Sequence, residues 1–266
     1  MRVFALSDIH VDYDVNARWV QALPQGEYRD DVLVLAGDVS DSLDRLARCL
    51  DALVRRFRRV CFVPGNHELW VVRDPGVPDS LAKFERVQAT ARACGAATTP
   101  EVVDGVALVP LHGWYDLSFG TVTPELMASW MDFRACRWPA GWTLHDVADH
   151  FAALNEPVRP AGAHTVISYS HFLPRIDLMP DFIGPPHRRI YPVLGGALLG
   201  EQLRTLAPDL HIYGHSHVNQ STVLDGMAFI NNAFAYPHER HIAAKALRCV
   251  YGAPRPRHRE PDRIPA

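Results

Sequence analysis

The chain has 266 residues, 48% of them hydrophobic, with a formal net charge of −3. That suits one large domain, or one domain with an insertion, and gives no overall positive pull toward nucleic acid or anionic membrane. Five cysteines, odd in number and without a CxxC pair, argue for buried reduced thiols rather than a disulfide framework, and no apolar run nears the ~20 residues of a membrane span.

The opening "MRVFALSDIH" predicts a strand almost from the first residue and has no cleavage-like segment, so a soluble cytoplasmic protein is expected. Short apolar runs then recur: "RVFAL" (2–6), "DVLVLAG" (31–37), "RVCFVPG" (59–65), "GVALVPL" (105–111), "HTVISYS" (164–170) and "DLHIYG" (209–214). Each is rich in Val, Ile, Leu or Phe and lacks alternation, which suits strands buried on both faces. Amphipathic stretches lie between them. Residues 41–57 place Leu43, Leu46, Leu50, Leu53 and Val54 on one face. Residues 80–95 read as a helix with Ser80 as N-cap and Gly95 as C-cap, and 196–208 as another. Strand and helix in alternation predict an α/β layered sandwich.

The end of the chain differs. Residues 221–232 read as a hairpin turning at Asp225-Gly226, and 246–252 as a late strand. Residues 112–160 form a long connection holding Trp114, Trp130, Trp138 and Trp142, four of the six tryptophans, and read as an insertion or cap-like segment of a domain spanning 1–252. Residues 253–266, rich in Pro and Arg, are expected to be a disordered tail.

The informative residues follow the strands. After the first come Asp8 and His10, after the second Asp38 and Asp41, and after the third Asn66, His67 and Glu68. His171 follows "HTVISYS", and His215 and His217 follow "DLHIYG". Taken singly, each has an ordinary reading as a turn, a helix cap or a satisfied histidine. Together they stand at the carboxyl ends of strands, where open α/β sheets bind ligands. Carboxylates, imidazoles and one amide, with no thiolate, suit divalent Mn, Fe or Zn. The set is too large for one ion, so two ions sharing a bridging carboxylate are expected, an arrangement suited to in-line displacement at phosphorus.

The ordered motifs DxH, GDxxD, GNHE, a lone His and GHxH resemble the calcineurin-like metallophosphoesterase superfamily. The resemblance implies two facing mixed β-sheets flanked by helices, a four-layer αββα sandwich. It implies that Asp8, His10 and His217 hold one metal, that Asn66, His171 and His215 hold the second, and that Asp38 bridges. It further implies that His67 assists the leaving group and that Asp41 orients His67. Glu68 takes no role beyond its place in the motif, with support of the metal ligands and helix capping both open. The implied reaction is hydrolysis of a phosphomonoester or phosphodiester of a small molecule or nucleotide by a metal-bridging hydroxide. Two other readings are a catalytically silent scaffold, as in the retromer subunit of the superfamily, and a nuclease. Neither membrane nor nucleic acid is expected as a partner, the nucleic acid because no basic aromatic stripe appears outside the tail.

One departure bears on the substrate. Protein phosphatases of the superfamily follow the second motif with an Arg that grips phosphate, whereas Ser42 and Leu43 follow Asp41 here. Candidate replacements are Arg73, Arg175, Arg188 and Arg189, with the "PPHRRIYP" loop (185–192) the most suggestive. His112 and Trp114 are expected to line the substrate pocket, and Trp130, Trp138 and Trp142 to form the small core of the insertion.

Overall fold

The computed structural model describes residues 1–252, so the predicted tail lies outside the described residues. In chain order the strands are β1 (Val3–Leu6), β2 (Val32–Ala36), β3 (Arg59–Val63), β4 (Glu101–Val103), β5 (Val106–Pro110), β6 (Thr165–Tyr169), β7 (Leu210–Tyr213), β8 (Gln220–Leu224), β9 (Met227–Asn231) and β10 (Arg248–Tyr251). The helices are α1 (Asp14–Ala22), α2 (Leu43–Val54), α3 (Ser80–Ala93), α4 (Pro124–Ser129), α5 (Asp132–Ala135), α6 (Leu144–Ala153), α7 (Pro185–Arg188) and α8 (Ala197–Leu206).

One sheet has the order β10-β1-β2-β3 and the other β4-β5-β6-β7-β9-β8. In the first, β1, β2 and β3 run parallel and β10 pairs antiparallel to β1. In the second, β5, β6, β7 and β9 run parallel, with β4 and β8 antiparallel at the edges. Alternation of side chains along each strand builds the layers. Val3, Ala5, Val32, Val34 and Val63 meet Val106, Leu108, Ile167, Tyr169 and Ile212 between the sheets. Phe4, Leu6, Leu33, Leu35 and Phe62 point the other way, onto Val20, Leu46, Leu50, Leu53 and Val87 of α1, α2 and α3. Ala107, Val109, Val166 and Phe229 likewise pack on Val147, Phe151, Leu199 and Leu203 of α6 and α8. The result is the expected αββα sandwich, and burial on both faces explains why these strands lack a polar alternation.

Helix starts follow local capping. The Ser42 side chain caps α2 by accepting from Arg45 N–H. The cap of α3 is Asp79 rather than Ser80, since the Asp79 carboxylate accepts from Ala82 N–H. Ser80 serves elsewhere: its hydroxyl donates to the Leu69 carbonyl at 2.8 Å and accepts from Arg137 N–H at 3.0 Å. The predicted hairpin forms as β8 and β9, with Asp225 (φ 50°) and Gly226 (φ 79°) both left-handed, as a two-residue primed turn requires.

Candidate metal centre

The parallel strands of both sheets end at one edge. There Asp8, His10, Asp38, His215 and His217 all have left-handed backbones, with φ between 42° and 66°, five of the ten such non-glycine residues among the described residues. Such backbones are uncommon for residues with a Cβ and gather where function demands them. Two glycines permit the crowding. A Cβ on Gly65 would meet Asp38 Oδ1 at 2.2 Å, and one on Gly37 (φ 82°) would meet His171 Nδ1 at 2.6 Å.

These turns gather the side chains into two buried groups. Asp8, His10, Asp38 and His217 form one; Asp38, His171 and His215 form the other; Asp38 is common to both. Asn66 adds to the second through Oδ1, 3.0 Å from His171 Nε2. His171 Nε2 also lies 3.0 Å from His215 Nδ1. The remaining ring nitrogens decide the protonation. His171 Nδ1 faces the Ala36 carbonyl at 2.9 Å, and His215 Nε2 faces the Val193 carbonyl at 3.0 Å, so each carries its hydrogen there. Asn66 Nδ2 donates to Asp132 Oδ1 at 2.8 Å. Three lone pairs therefore converge on one point with no proton among them. That is the geometry a divalent cation satisfies, and the carbonyl partners are the outer contacts that aim metal-binding histidines.

In the first group, His217 Nδ1 donates to Glu239 Oε2 at 2.7 Å, which turns Nε2 toward Asp8 (3.3 Å) and His10 Nε2 (3.1 Å). Burial disfavours charge on His217, but Asp8 and Glu239 outweigh it and lift the imidazole to about 9. Burial likewise works against the Asp8 carboxylate, yet His217 holds it well below the usual range. A proton on His217 thus sits where a cation fits. The residue types of both groups suit a pair of divalent ions.

The family profile of the calcineurin-like phosphoesterases matches residues 1–219. The chain belongs to the calcineurin-like phosphoesterase family. It is a metal-dependent phosphoric ester hydrolase, of a family that uses two metals. A curated relative, the [acyl-carrier-protein] phosphodiesterase PptH of Mycobacterium tuberculosis, is 28% identical over 261 residues, covering 89% of this chain and 78% of the relative. A crystal structure of the phosphopantetheinyl hydrolase PptH from the same organism aligns with a TM-score of 0.72 at 22% identity, covering 95% of this chain and 96% of that one, a likeness of fold.

Glu68 of this phosphoesterase has a clear structural job. Its carboxylate is fully buried and accepts four backbone N–H groups: Val39 (2.7 Å) and Ser40 (2.9 Å) on Oε1, Asp38 (2.9 Å) and Gly65 (2.6 Å) on Oε2. It ties the loop after β2 to the loop after β3 and so fixes Asp38 against Asn66. Burial pushes the carboxyl up to about 7, while the four N–H groups favour its ionised form. Glu68→Gln sets an NH2 against two of those donors. Leaving two buried N–H groups unpaired costs about 2–6 kcal/mol, so urea unfolding at neutral pH should show a loss of that size. An unchanged midpoint would contradict this role.

His67, expected to assist the leaving group, lines the cavity beside the metal groups. Its ring stacks on Trp70 (centroids 3.7 Å apart), its Nε2 lies 3.7 Å from Asp38 Oδ2, and the Tyr236 hydroxyl is 3.5 Å from Nε2. Asp41 does not take the orienting position expected of it. Its carboxylate meets Arg73 Nη1 at 3.3 Å and its carbonyl accepts from the buried Lys83 at 2.8 Å, with no contact to His67 among the described residues. The His67 imidazole is in contact with Trp70 and Tyr236 instead.

The substrate-binding expectations fare differently. A cavity of about 220 Å³ beside the metal groups is lined by Asp38, Asn66, His67, Trp70, Trp130, Met131, Asp132, Ile190, His215, Ser216, His217, Tyr236 and Glu239. Trp114 is buried in the helix-side core beside Phe172 and Trp138. His112 faces Phe84 edge-on, and its backbone is clasped by Asn155. Arg175 pairs with Asp177 and Asp225 beside a separate groove, so its charge is spent there. Arg188 donates to the carbonyls of Ile183 and Asp181, and exposed Arg189 is outside the cavity lining, to which the loop contributes Ile190. Trp130, expected in a small core, packs against the helix-side core and also forms cavity wall. Asp132, Tyr236 and Glu239 carried no motif. The one sequence signal was an aromatic next to paired acid and base in "YPHER", shortly after the last motif histidine.

Among the described residues, no helix is long and apolar enough to cross a membrane.

Proposed function

We propose that this enzyme is a phosphodiesterase that releases a phosphopantetheinyl group from a carrier protein. The observation that carries the diester reading is the cavity lining, which contains no lysine or arginine among the described residues. A phosphomonoester brings two negative charges at neutral pH and calls for a cation beyond the metals. A phosphodiester brings one. Trp70, Trp130, Met131 and Ile190 offer an apolar surface for an arm attached to the phosphate. The PptH relative, an acyl-carrier-protein phosphodiesterase that aligns over most of this chain, supports the carrier-protein substrate.

In this reading Asp8, His10, Asp38 and His217 hold one divalent ion, and Asp38, Asn66, His171 and His215 hold the other. Mn, Fe and Zn all suit these donors. When bound, such ions supply Lewis acidity to the phosphoryl oxygens and to the attacking water. The chain does the rest. Glu239 and the carbonyls of Ala36 and Val193 hold the imidazoles lone-pair inward. Burial, with the neighbouring imidazoles, pushes His67 well below its ordinary range, so it acts as a neutral hydrogen-bond donor to the departing oxygen. Tyr236 and Ser216 bring neutral hydroxyls to the cavity, fit for a singly charged phosphate.

The test is kinetic. Protein refilled with Mn2+ should cleave bis-p-nitrophenyl phosphate with kcat/KM about 10-fold or more above p-nitrophenyl phosphate. It should also strip the phosphopantetheinyl mass from holo-acyl carrier protein, read by mass spectrometry. Preference for the monoester would overturn the diester reading. Diester cleavage that spares the carrier protein would overturn the pantetheinyl one.

A further inference from the structure

The amide of Asn66 poses a chemical choice. An amide offers an oxygen on one side and an NH2 on the other, and a half-turn exchanges them. His171 Nε2, whose ring hydrogen sits on Nδ1 toward Ala36, is an acceptor 3.0 Å from the Asn66 amide. The local hydrogen-bond preference is therefore the wrong one for a metal. Turned about, the NH2 of Asn66 would donate to His171 and close the second group of lone pairs with a proton.

Asp132 reverses that preference. Its carboxylate is 2% exposed and sits in the stretch between β5 and β6, just after the cavity-wall residues Trp130 and Met131. Oδ1 accepts from Asn66 Nδ2 at 2.8 Å and from Trp70 Nε1 at 2.7 Å, and Oδ2 accepts from Trp130 Nε1 at 2.8 Å. A carboxylate only accepts, so it takes the NH2 of Asn66 and leaves the amide oxygen facing His171 and His215. The same group anchors Trp70, on which His67 stacks, and Trp130, which lies edge-on to His215 at 5.8 Å.

We propose that Asp132 is the positioning residue that presents Asn66 oxygen-first to the second metal, and that it couples the segment between β5 and β6 to that metal. This rests on the ligand assignment above, in which Asn66 belongs to the second ion only. Asp132 belongs to neither metal group and acts through Asn66. Loss of the carboxylate lets the amide turn, and outer contacts of this kind are worth about 10–100-fold in metal affinity.

Mn2+ titration by calorimetry separates the two readings. The ligand assignment requires two sites in the wild type; fewer than two would sink that assignment, whatever Asp132 does. Given two, Asp132→Ala should weaken one site by about 10–100-fold and leave the other unchanged. Asp132→Asn, whose single oxygen can replace Oδ1, should keep both sites within a few-fold of wild type while giving up the Trp130 bond. In the Asn66→Ala background, Asp132→Ala should weaken the second site no further. Asp132→Ser stands in if Asp132→Ala does not fold. Equal weakening of both sites, unchanged binding in Asp132→Ala, or a further loss on top of Asn66→Ala would each overturn the proposal.

Discussion

Asp38→Asn should abolish phosphodiesterase activity and leave neither metal tightly bound, because Asp38 is common to both ligand groups. The same change should make the metal-free protein more stable at neutral pH. Burial, with Glu68 and Asp8 nearby, raises the Asp38 carboxyl well above its usual range. An acid whose folded pKa is raised binds its proton more tightly in the fold. Its ionised form then costs stability increasingly as pH climbs above the unfolded value of about 4. A neutral amide removes that cost and still accepts the His67 N–H, now 3.0 Å from Asp38 Oδ1. Urea unfolding after EDTA treatment should show the variant gaining on wild type between pH 5 and pH 8. A variant less stable than wild type at pH 8 would contradict this. Metal binding thus offsets a carboxylate cluster that folding alone disfavours.

His67→Ala should lower kcat by about 10²–10³-fold on an alkyl phosphodiester, the usual loss for one donor to a developing oxyanion. Metal content should remain at the wild-type level, since His67 belongs to neither ligand group. The loss should shrink on bis-p-nitrophenyl phosphate, whose stabilised leaving group needs little help. That dependence on leaving group separates a donor to the departing oxygen from a residue that merely packs against Trp70. An equal loss on both substrates, or loss of metal in the variant, would argue for packing or ligation instead.

Much of the site is legible in the sequence. Asp8, Asp38, Asn66, His171 and His215 each follow a run of buried β-branched and aliphatic residues. The parallel sheet rule then brings them to one edge. Their roles came from motif order, which local spacing alone does not provide. The outer residues were illegible for a physical reason. Asp132, Tyr236 and Glu239 act through contacts 66, 169 and 22 residues away in sequence, set by tertiary packing rather than by period or capping. An indole leaving a strand end, such as Trp114, suits pocket and core equally; here it fills the layer beneath α6 and α8. The charged candidates failed for a related cause. Arg175 is held by Asp177, two residues on, and by Asp225, 50 residues away, and arginine pairs wherever carboxylates lie within reach. Asp41 shows how far a motif carries: the second aspartate of GDxxD is present, yet its partner is Arg73.

The buried imidazoles and carboxylates should form one centre for two ions sharing Asp38. Electron paramagnetic resonance of Mn2+-refilled protein tests it directly, together with the metal count of the same sample. Two manganese ions per chain with an exchange-coupled spectrum is the predicted result. One ion per chain, or two with spectra that add as isolated ions, would contradict the shared carboxylate and the dimetal reading built on it.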